Sequence, residues 1–183
     1  MIVNGYEIKP GANLSGAYLS RANLSGVDLS GVDLSGVDLS EANLSGVNLS
    51  GADLSRAYLS GAYLSGADLS RAYLSGAYLS GAYLSRANLS RADLSGADLS
   101  AANLSRATIG EHKVISLAAC ARRMDGYEFM IFKTDLGHII RAGCRTMTIP
   151  EYREHVKSYS MSSKVQETTD ILDYLELRLN ANP

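Results

Sequence analysis

The chain has 183 residues, with 17 Lys and Arg against 19 Asp and Glu, and no Trp. Its net charge of −2 argues against nucleic-acid binding by bulk positive charge and against an acidic disordered tail. Two cysteines are too few for a disulfide framework, and the first residues lack a secretory signal, so we expect a cytoplasmic protein. No apolar run approaches the ~20 residues that cross a bilayer, so we expect no membrane association.

The first eleven residues predict a short hairpin. Apolar residues alternate loosely around the turn pair Asn4-Gly5. They are Ile2, Val3, Tyr6 and Ile8. Pro10 then stops further strand pairing. We expect residues 1–11 to form an N-terminal cap on the structure that follows.

From Ala12 to Glu111 the chain repeats every five residues, in twenty units such as ANLSG and AYLSR. The first residue of a unit is Ala or Val, and the third is Leu in nineteen units and Ile109 in the last. On a straight helix these apolar positions spread around the whole surface, and on a straight strand they alternate between faces because five is odd. The chain must therefore turn once in every unit.

The residues between successive apolar pairs suit such a turn. In Leu14-Ser15-Gly16-Ala17, Gly stands where a type II turn needs a positive φ. Repeated turning in one sense gives a β-solenoid with Ala, Val and Leu inside, in which each unit is stable only through its neighbours. Where Arg replaces Gly at a corner we expect a different local geometry, because a non-Gly residue tolerates positive φ poorly.

These units resemble the A(D/N)LXX motif of the pentapeptide repeat family, with only Val, Tyr, Thr and Ile variations, over more than half of the chain. The resemblance implies a right-handed quadrilateral β-helix with four units in each coil. Twenty units then make about five coils, and second-position residues twenty apart stack on one of four faces.

This stacking predicts a candidate partner surface. Five tyrosines fall on three adjoining faces and would form an exposed aromatic patch. They are Tyr58, Tyr63, Tyr73, Tyr78 and Tyr83. Arg71 stacks on Arg91 at a corner. We add both arginines to the candidate partner surface as a site for an acidic partner. Tyrosines that only stack on each other, and arginines that are only solvated, remain the alternatives.

After Glu111 the composition changes, and both cysteines, all three histidines and both Phe lie beyond it. Residues 114–118 would continue onto the last coil. The alternation over 127–133, a turn at 134–137 and the apolar residues of 138–142 predict a β-hairpin. Residues 140–145, with the helix that follows, resemble part of the C-terminal region of some bacterial and phage pentapeptide repeat proteins.

Two helices complete this predicted α+β module of residues 112–183. Thr148 as N-cap, with Pro150 in the first turn and Glu151 three residues after the cap, predicts the first helix. Apolar residues at three- and four-residue steps predict an amphipathic helix over 166–179. Its candidate association residues are Ile171, Leu172, Leu175 and Leu179. We expect the module to cap the rod and to form a homodimer or dock on a partner.

We predict no catalytic residue, cofactor or metal site. Cys144 with His138 or His155 offers a thiol and a base, but no flanking signature supports nucleophilic catalysis. Metal binding fails on spacing, because no close CxxC or HxxxH pair exists among the cysteines and histidines. These are Cys120, Cys144, His112, His138 and His155.

We therefore interpret the chain as a non-enzymatic scaffold that presents its surface to a protein partner and does not bind nucleic acid directly. The alternative is a DNA-mimicking modulator of a type II topoisomerase such as gyrase, as some family members are proposed to be. Residues 12–111 hold nine acids and six Arg, a net charge of only −3. That balance is weak for a mimic of duplex DNA.

Overall fold

The repeat forms a four-sided rod. A computed structural model describes residues 1–110, 112–122, 128–134, 137–142, 145–158 and 162–181. Every second-position residue from Asn13 to Asn88 forms a parallel bridge with the residue twenty positions later. Backbone bonds flank each bridge, as in Leu14 N–H to Asp33 O at 2.9 Å and Asp38 N–H to Ala17 O at 2.9 Å. Four units therefore make one coil, as predicted.

Each unit ends in a tight turn. The N–H of Ala17 donates to the carbonyl of Leu14 at 3.0 Å, and Gly16 between them has a φ of 64°. The expected difference at non-Gly corners was wrong, since Arg56 and Arg91 have φ values of 58° and 60°. The reason is that pairing between coils fixes the corner, as in Arg56 N–H to Ser75 O at 2.9 Å.

The rod is filled by Leu side chains. All nineteen third-position Leu residues, from Leu14 to Leu104, are at most 4% exposed. First-position Ala and Val fill the remaining space, and only Ala12, Val27 and Ala102 near the ends are half-buried. This core is one continuous column, because each coil stacks directly on the next.

The N-terminal hairpin precedes the first coil. Strands β1 (Ile2–Val3) and β2 (Tyr6–Glu7) pair antiparallel around Asn4-Gly5, and both turn residues have positive φ. Ile8 then enters the rod core. The hairpin is the one expected from the Asn4-Gly5 turn pair, and the role of residues 1–11 as a cap stays a prediction.

The C-terminal module is a five-stranded antiparallel sheet with two helices. Its strands lie in chain order and its helices follow them. The strands are β3 (Thr108–Ile109), β4 (His112–Arg122), β5 (Glu128–Thr134), β6 (Gly137–Ala142) and β7 (Arg145–Thr148), and the helices are α1 (Ile149–Val156) and α2 (Ser162–Ala181). The predicted hairpin is β5 and β6, and Tyr127 lies outside the described residues.

This sheet lies between the rod and the helices. Met130, Phe132 and Ile139 on one face belong to the core of the rod. On the other face, residues such as Phe129 and Ile131 form a second core with α1 and α2. The members of this second core are Phe129, Ile131, Ile140, Ile149, Tyr152, Val156, Leu172 and Leu175. The module therefore covers the apolar end of the last coil.

Strand β4 corrects the expectation that residues 114–118 continue the coil. The N–H of Val114 donates to Ala107 O at 2.7 Å, but the pairing with β3 is antiparallel and ends there. From Val114 onward β4 pairs with β5 instead. The expected hairpin plus two helices was therefore too small, because β4 and β7 extend the hairpin into a larger sheet.

Candidate partner surface

Two tyrosine ladders lie on adjoining faces of the rod. The rings of Tyr58 and Tyr78 stack with centroids 5.1 Å apart and planes 9° apart. The rings of Tyr63 and Tyr83 stack at 5.0 Å and 3°. Each of the four side chains remains 46 to 50% exposed. Stacking between coils therefore leaves about half of every ring available for contact.

The corner between these ladders carries only the small side chains of Ser60 and Ser80 in these two coils. Gly61 and Gly81 occupy it in the two coils concerned, with φ values of 66° and 67°. The two ladders are therefore separated only by small residues at this corner. We call this patch the tyrosine surface, and it consists of Tyr58, Tyr63, Tyr78 and Tyr83.

The structure does not bring all the predicted surface residues together. Tyr73 bridges Asp53 and Asp93 on the face before that of Tyr58 and Tyr78. Arg71 and Arg91 lie one corner further still, diagonally across the coil from the glycine corner. Contact with a single flat partner would therefore use the tyrosine surface without these two arginines.

Asp and Asn at the second position of a unit form a local hydrogen bond that Tyr cannot form. Their side-chain oxygen accepts the N–H of the Ser two residues later, as in Ser35 N–H to Asp33 Oδ1 at 3.0 Å. This bond closes a local Asx turn. The backbone N–H of Ser35, with its hydroxyl, lowers the pKa of Asp33, and Ser100 does the same for the pKa of Asp98. The recurring Asp/Asn-Leu-Ser spacing carries this signal, which the sequence analysis did not use.

The predicted association residues of α2 lie mostly inside the module. Leu172 and Leu175 are at most 1% exposed, and Ile171 and Leu179 are half-buried against the same core. Leu172 and Leu175 are therefore core residues, because side chains without exposed area cannot contact a second chain. Among the side chains of α2 that the structure describes, the large exposed apolar ones are Tyr174 and Leu177.

The described part of the chain offers no metal centre, since no group of three His, Cys, Asp or Glu side chains converges there. Cys144 of the catalytic alternative lies outside the described residues, and His138 and His155 are half-exposed. No helix in the described ranges is long and apolar enough to cross a membrane.

The four-sided coil and its five-residue unit define a class of protein, the β-solenoid. The sequence profile of the pentapeptide repeat family, "Pentapeptide repeats (8 copies)", matches residues 11–40, 38–76 and 67–106. These matches run over more than half of the chain, which therefore belongs to the pentapeptide repeat family. Members of this family form right-handed quadrilateral β-helices. No curated protein matches the chain.

Solved structures with similar chains are pentapeptide repeat proteins. One from the cyanobacterium Cyanothece 51142 is 40% identical, with 51% of this chain and 60% of that chain covered and a TM-score of 0.40. One from the thylakoid lumen of Arabidopsis thaliana is 32% identical, with 49% and 66% covered and a TM-score of 0.41. QnrB1, a plasmid-mediated fluoroquinolone resistance protein, is 21% identical, with 56% and 70% covered and a TM-score of 0.33.

Proposed function

We propose that this protein is a non-enzymatic scaffold, whose rod presents the tyrosine surface to a protein partner in the cytoplasm. The observation that carries this proposal is the pair of stacked, half-exposed tyrosine ladders on adjoining faces. Aromatic side chains supply large contact area at low conformational cost, and Tyr adds a polar hydroxyl. The stacked rings are already ordered, so binding loses little further side-chain freedom.

The rod itself supports this role. Each backbone ladder and the continuous Leu core fix the positions of the outward side chains. A rigid array of this kind suits recognition of another surface, because its contact groups are preorganised. Pentapeptide repeat proteins are generally structural or interaction proteins, which agrees with the proposal.

Photo-crosslinking tests the tyrosine surface directly. A benzophenone amino acid replaces Tyr63 or Tyr83 in cells that express the protein, and the controls carry it at Tyr73 or Asp53 on another face. We expect the same partner protein at both test positions and at neither control. Equal crosslinking from all four positions would contradict the proposal.

A matched variant separates contact from folding. Asn replaces Tyr in other units at this position and closes its own turn, as Ser50 N–H to Asn48 Oδ1 at 3.1 Å shows. The variant carrying Tyr58→Asn, Tyr63→Asn, Tyr78→Asn and Tyr83→Asn should therefore keep the rod and lose the partner. The control variant Tyr73→Asn should keep both.

Over the described residues 12–110, the rod has no face on which every second-position residue is acidic, which is unfavourable for the alternative of DNA mimicry. Acidic second-position residues are spread over three faces of the rod, and Glu41 pairs with Arg21 at 3.0 Å. A gyrase supercoiling assay with titrated protein distinguishes the two hypotheses. We expect no effect at stoichiometric excess, and inhibition or protection of the enzyme would favour the mimic.

Self-association through the C-terminal module stays a prediction. On α2 such a contact would have to use Tyr174 and Leu177, which are 52% and 67% exposed. Light scattering should then give twice the 19.5 kDa mass, and Leu177→Glu should return it to the single-chain value. The matched change Gln166→Glu on the same helix should leave the dimer intact. A single-chain mass at all concentrations would remove this contact from the proposal.

A further inference from the structure

Four exposed arginines lie at two neighbouring corners of the rod, on either side of one face. Two belong to one coil, and each of the other two stacks on one of these from a neighbouring coil. The face between the corners carries Asp68 and Asn88. We call this group the arginine face, and its members are Arg71, Arg86, Arg91 and Arg106.

Each of these arginines has an unfavourable backbone conformation. Their φ values lie between 59° and 62°, in the left-handed region that favours glycine. The preceding coils carry glycine at the same two corners, at Gly51 and Gly66. The other non-glycine corners, such as Arg21 and Arg56, have the same left-handed φ, so the strain is shared and the arginine face is distinguished by its stacked charges.

The stacking of like charges adds a second cost at the same residues. Arg71 lies directly above Arg91 in the ladder, and like charges stacked in this way destabilise a sheet. The fold does not require this, because Arg21 stacks on Glu41 at another corner and forms an ion pair with it at 3.0 Å. A bound anion would offset the repulsion on the arginine face.

Within the ranges that the structure describes, none of the four arginines forms an ion pair. In the coils of Arg71 and Arg91, two carboxylates lie on the faces beside their corner. Asp93 accepts the N–H of Ser95 at 3.0 Å and its hydroxyl at 2.6 Å.

The other carboxylate, Asp68, also has partners of its own. It accepts the N–H of Ser70 at 2.9 Å and the side-chain amide of Asn88 at 3.2 Å. The guanidinium groups are therefore available to an external acceptor.

We propose that the arginine face binds an acidic peptide segment of a protein partner, with one carboxylate side chain at each arginine pair. Guanidinium groups match carboxylates through two parallel hydrogen bonds. Each pair lines a shallow groove with corner serines, which supply further hydroxyl donors. The serines are Ser50, Ser70, Ser90, Ser65, Ser85 and Ser105. Asp68 also lines the groove of Arg71 and Arg91. The described lining of the groove of Arg86 and Arg106 has no acidic residue.

A peptide fits this surface better than a nucleic acid. The positive charge falls in two separate pairs, with the carboxylate of Asp68 on the face between them. A continuous phosphate chain across that face would pass this carboxylate, whereas an extended peptide can place neutral residues there. The pair Arg71 and Arg91 lies diagonally across the coil from the glycine corner, whereas the pair Arg86 and Arg106 borders the face of Tyr63 and Tyr83. The proposed binding uses the arginines and not the tyrosine rings.

Fluorescence anisotropy with the full chain tests the proposal. The probe is a labelled peptide of alternating Glu and Gly, and a single-stranded oligonucleotide of equal length is the second probe. The test variant carries Arg71→Gly, Arg86→Gly, Arg91→Gly and Arg106→Gly. The control carries Arg21→Gly and Arg56→Gly, which have the same positive φ at other corners. Because glycine is the usual corner residue, both variants should fold.

We expect saturable peptide binding that weakens with added salt, and a loss of at least about tenfold in the test variant alone. The four Tyr→Asn changes should leave this binding unchanged, which separates it from the proposed function. Absence of peptide binding by the unaltered chain would overturn the proposal, as would an equal loss in the control variant. Equal or tighter binding of the oligonucleotide would overturn the proposal, because the arginine face would then bind a phosphate backbone and not an acidic peptide.

Discussion

Second-position residues show how one site in the repeat serves two purposes. Asp and Asn close their own turn through the Ser two residues later, as at Asp33 and Asn48. Tyr has no such acceptor, and four second-position tyrosines stack in pairs between coils, as Tyr63 does on Tyr83. Changing one type into the other should therefore alter the surface without altering the coil.

An arginine at a corner should make the protein less stable to unfolding than a glycine at the same corner. The left-handed conformation costs a non-Gly residue about 1 kcal/mol, so Arg56→Gly should raise the free energy of unfolding by about that amount. Urea denaturation measures this change, with Gly51→Ala as the reverse control, which should lower it by a similar amount. An Arg56→Gly variant less stable than the unaltered chain would contradict the corner geometry.

Acid should weaken the Asx turns. Hydrogen bonds from Ser30, Ser35 and Ser100 lower the pKa values of their Asp partners below the ordinary 3.8. The stabilisation from these carboxylates is complete above pH 3.8 and is lost as the pH falls through the lower folded values. The partners are Asp28, Asp33 and Asp98.

Urea unfolding between neutral pH and about pH 2 measures this loss. The variant Asp28→Asn, Asp33→Asn and Asp98→Asn keeps an oxygen acceptor that does not titrate. We expect its stability to fall less with acid than that of the unaltered chain. If the stability of the two proteins depended on pH in the same way, protonation of these three Asp residues would not be the cause of the loss of stability in acid.

At the scale of elements, local signals were sufficient for some predictions and not for others. The Asn4-Gly5 hairpin and the α1 start are set by neighbouring residues, and Thr148 and Glu151 form the predicted capping box. The extent of the sheet depends on contacts distant in sequence. Phe132 and Ile139 enter the core of the rod, and a residue pattern around β5 and β6 does not reveal that partner.

Phe132 should be essential to the junction between the rod and the module. Its side chain is fully buried in the core of the rod, so Phe132→Ala should cost about 3–5 kcal/mol of unfolding free energy. Urea denaturation gives the cost, and Lys133→Ala on the exposed position beside it is the control. A loss below about 1 kcal/mol would show that the sheet does not seal the last coil.

At the scale of the whole molecule, the twenty-residue coil determines which side chains meet. Counting in twenties predicted the four faces and the stacking of Tyr58 on Tyr78. Counting in twenties shows which residues stack, but not which stacks can contact one partner together. That also requires the order of the corners around the coil, which places Arg71 diagonally across from the tyrosine surface. The burial of Leu172 was also not predicted, because the helical pattern indicates an apolar face but not whether the same chain or a second chain covers it.

A crystal structure of the full chain tests the central claim most directly, that five-residue units wind into a four-sided coil with two adjoining tyrosine ladders. We predict that Tyr58 stacks on Tyr78 with ring centroids near 5.1 Å, and that Tyr63 and Tyr83 stack on the next face. Coils of three or five units would place these residues on different faces and would contradict the account.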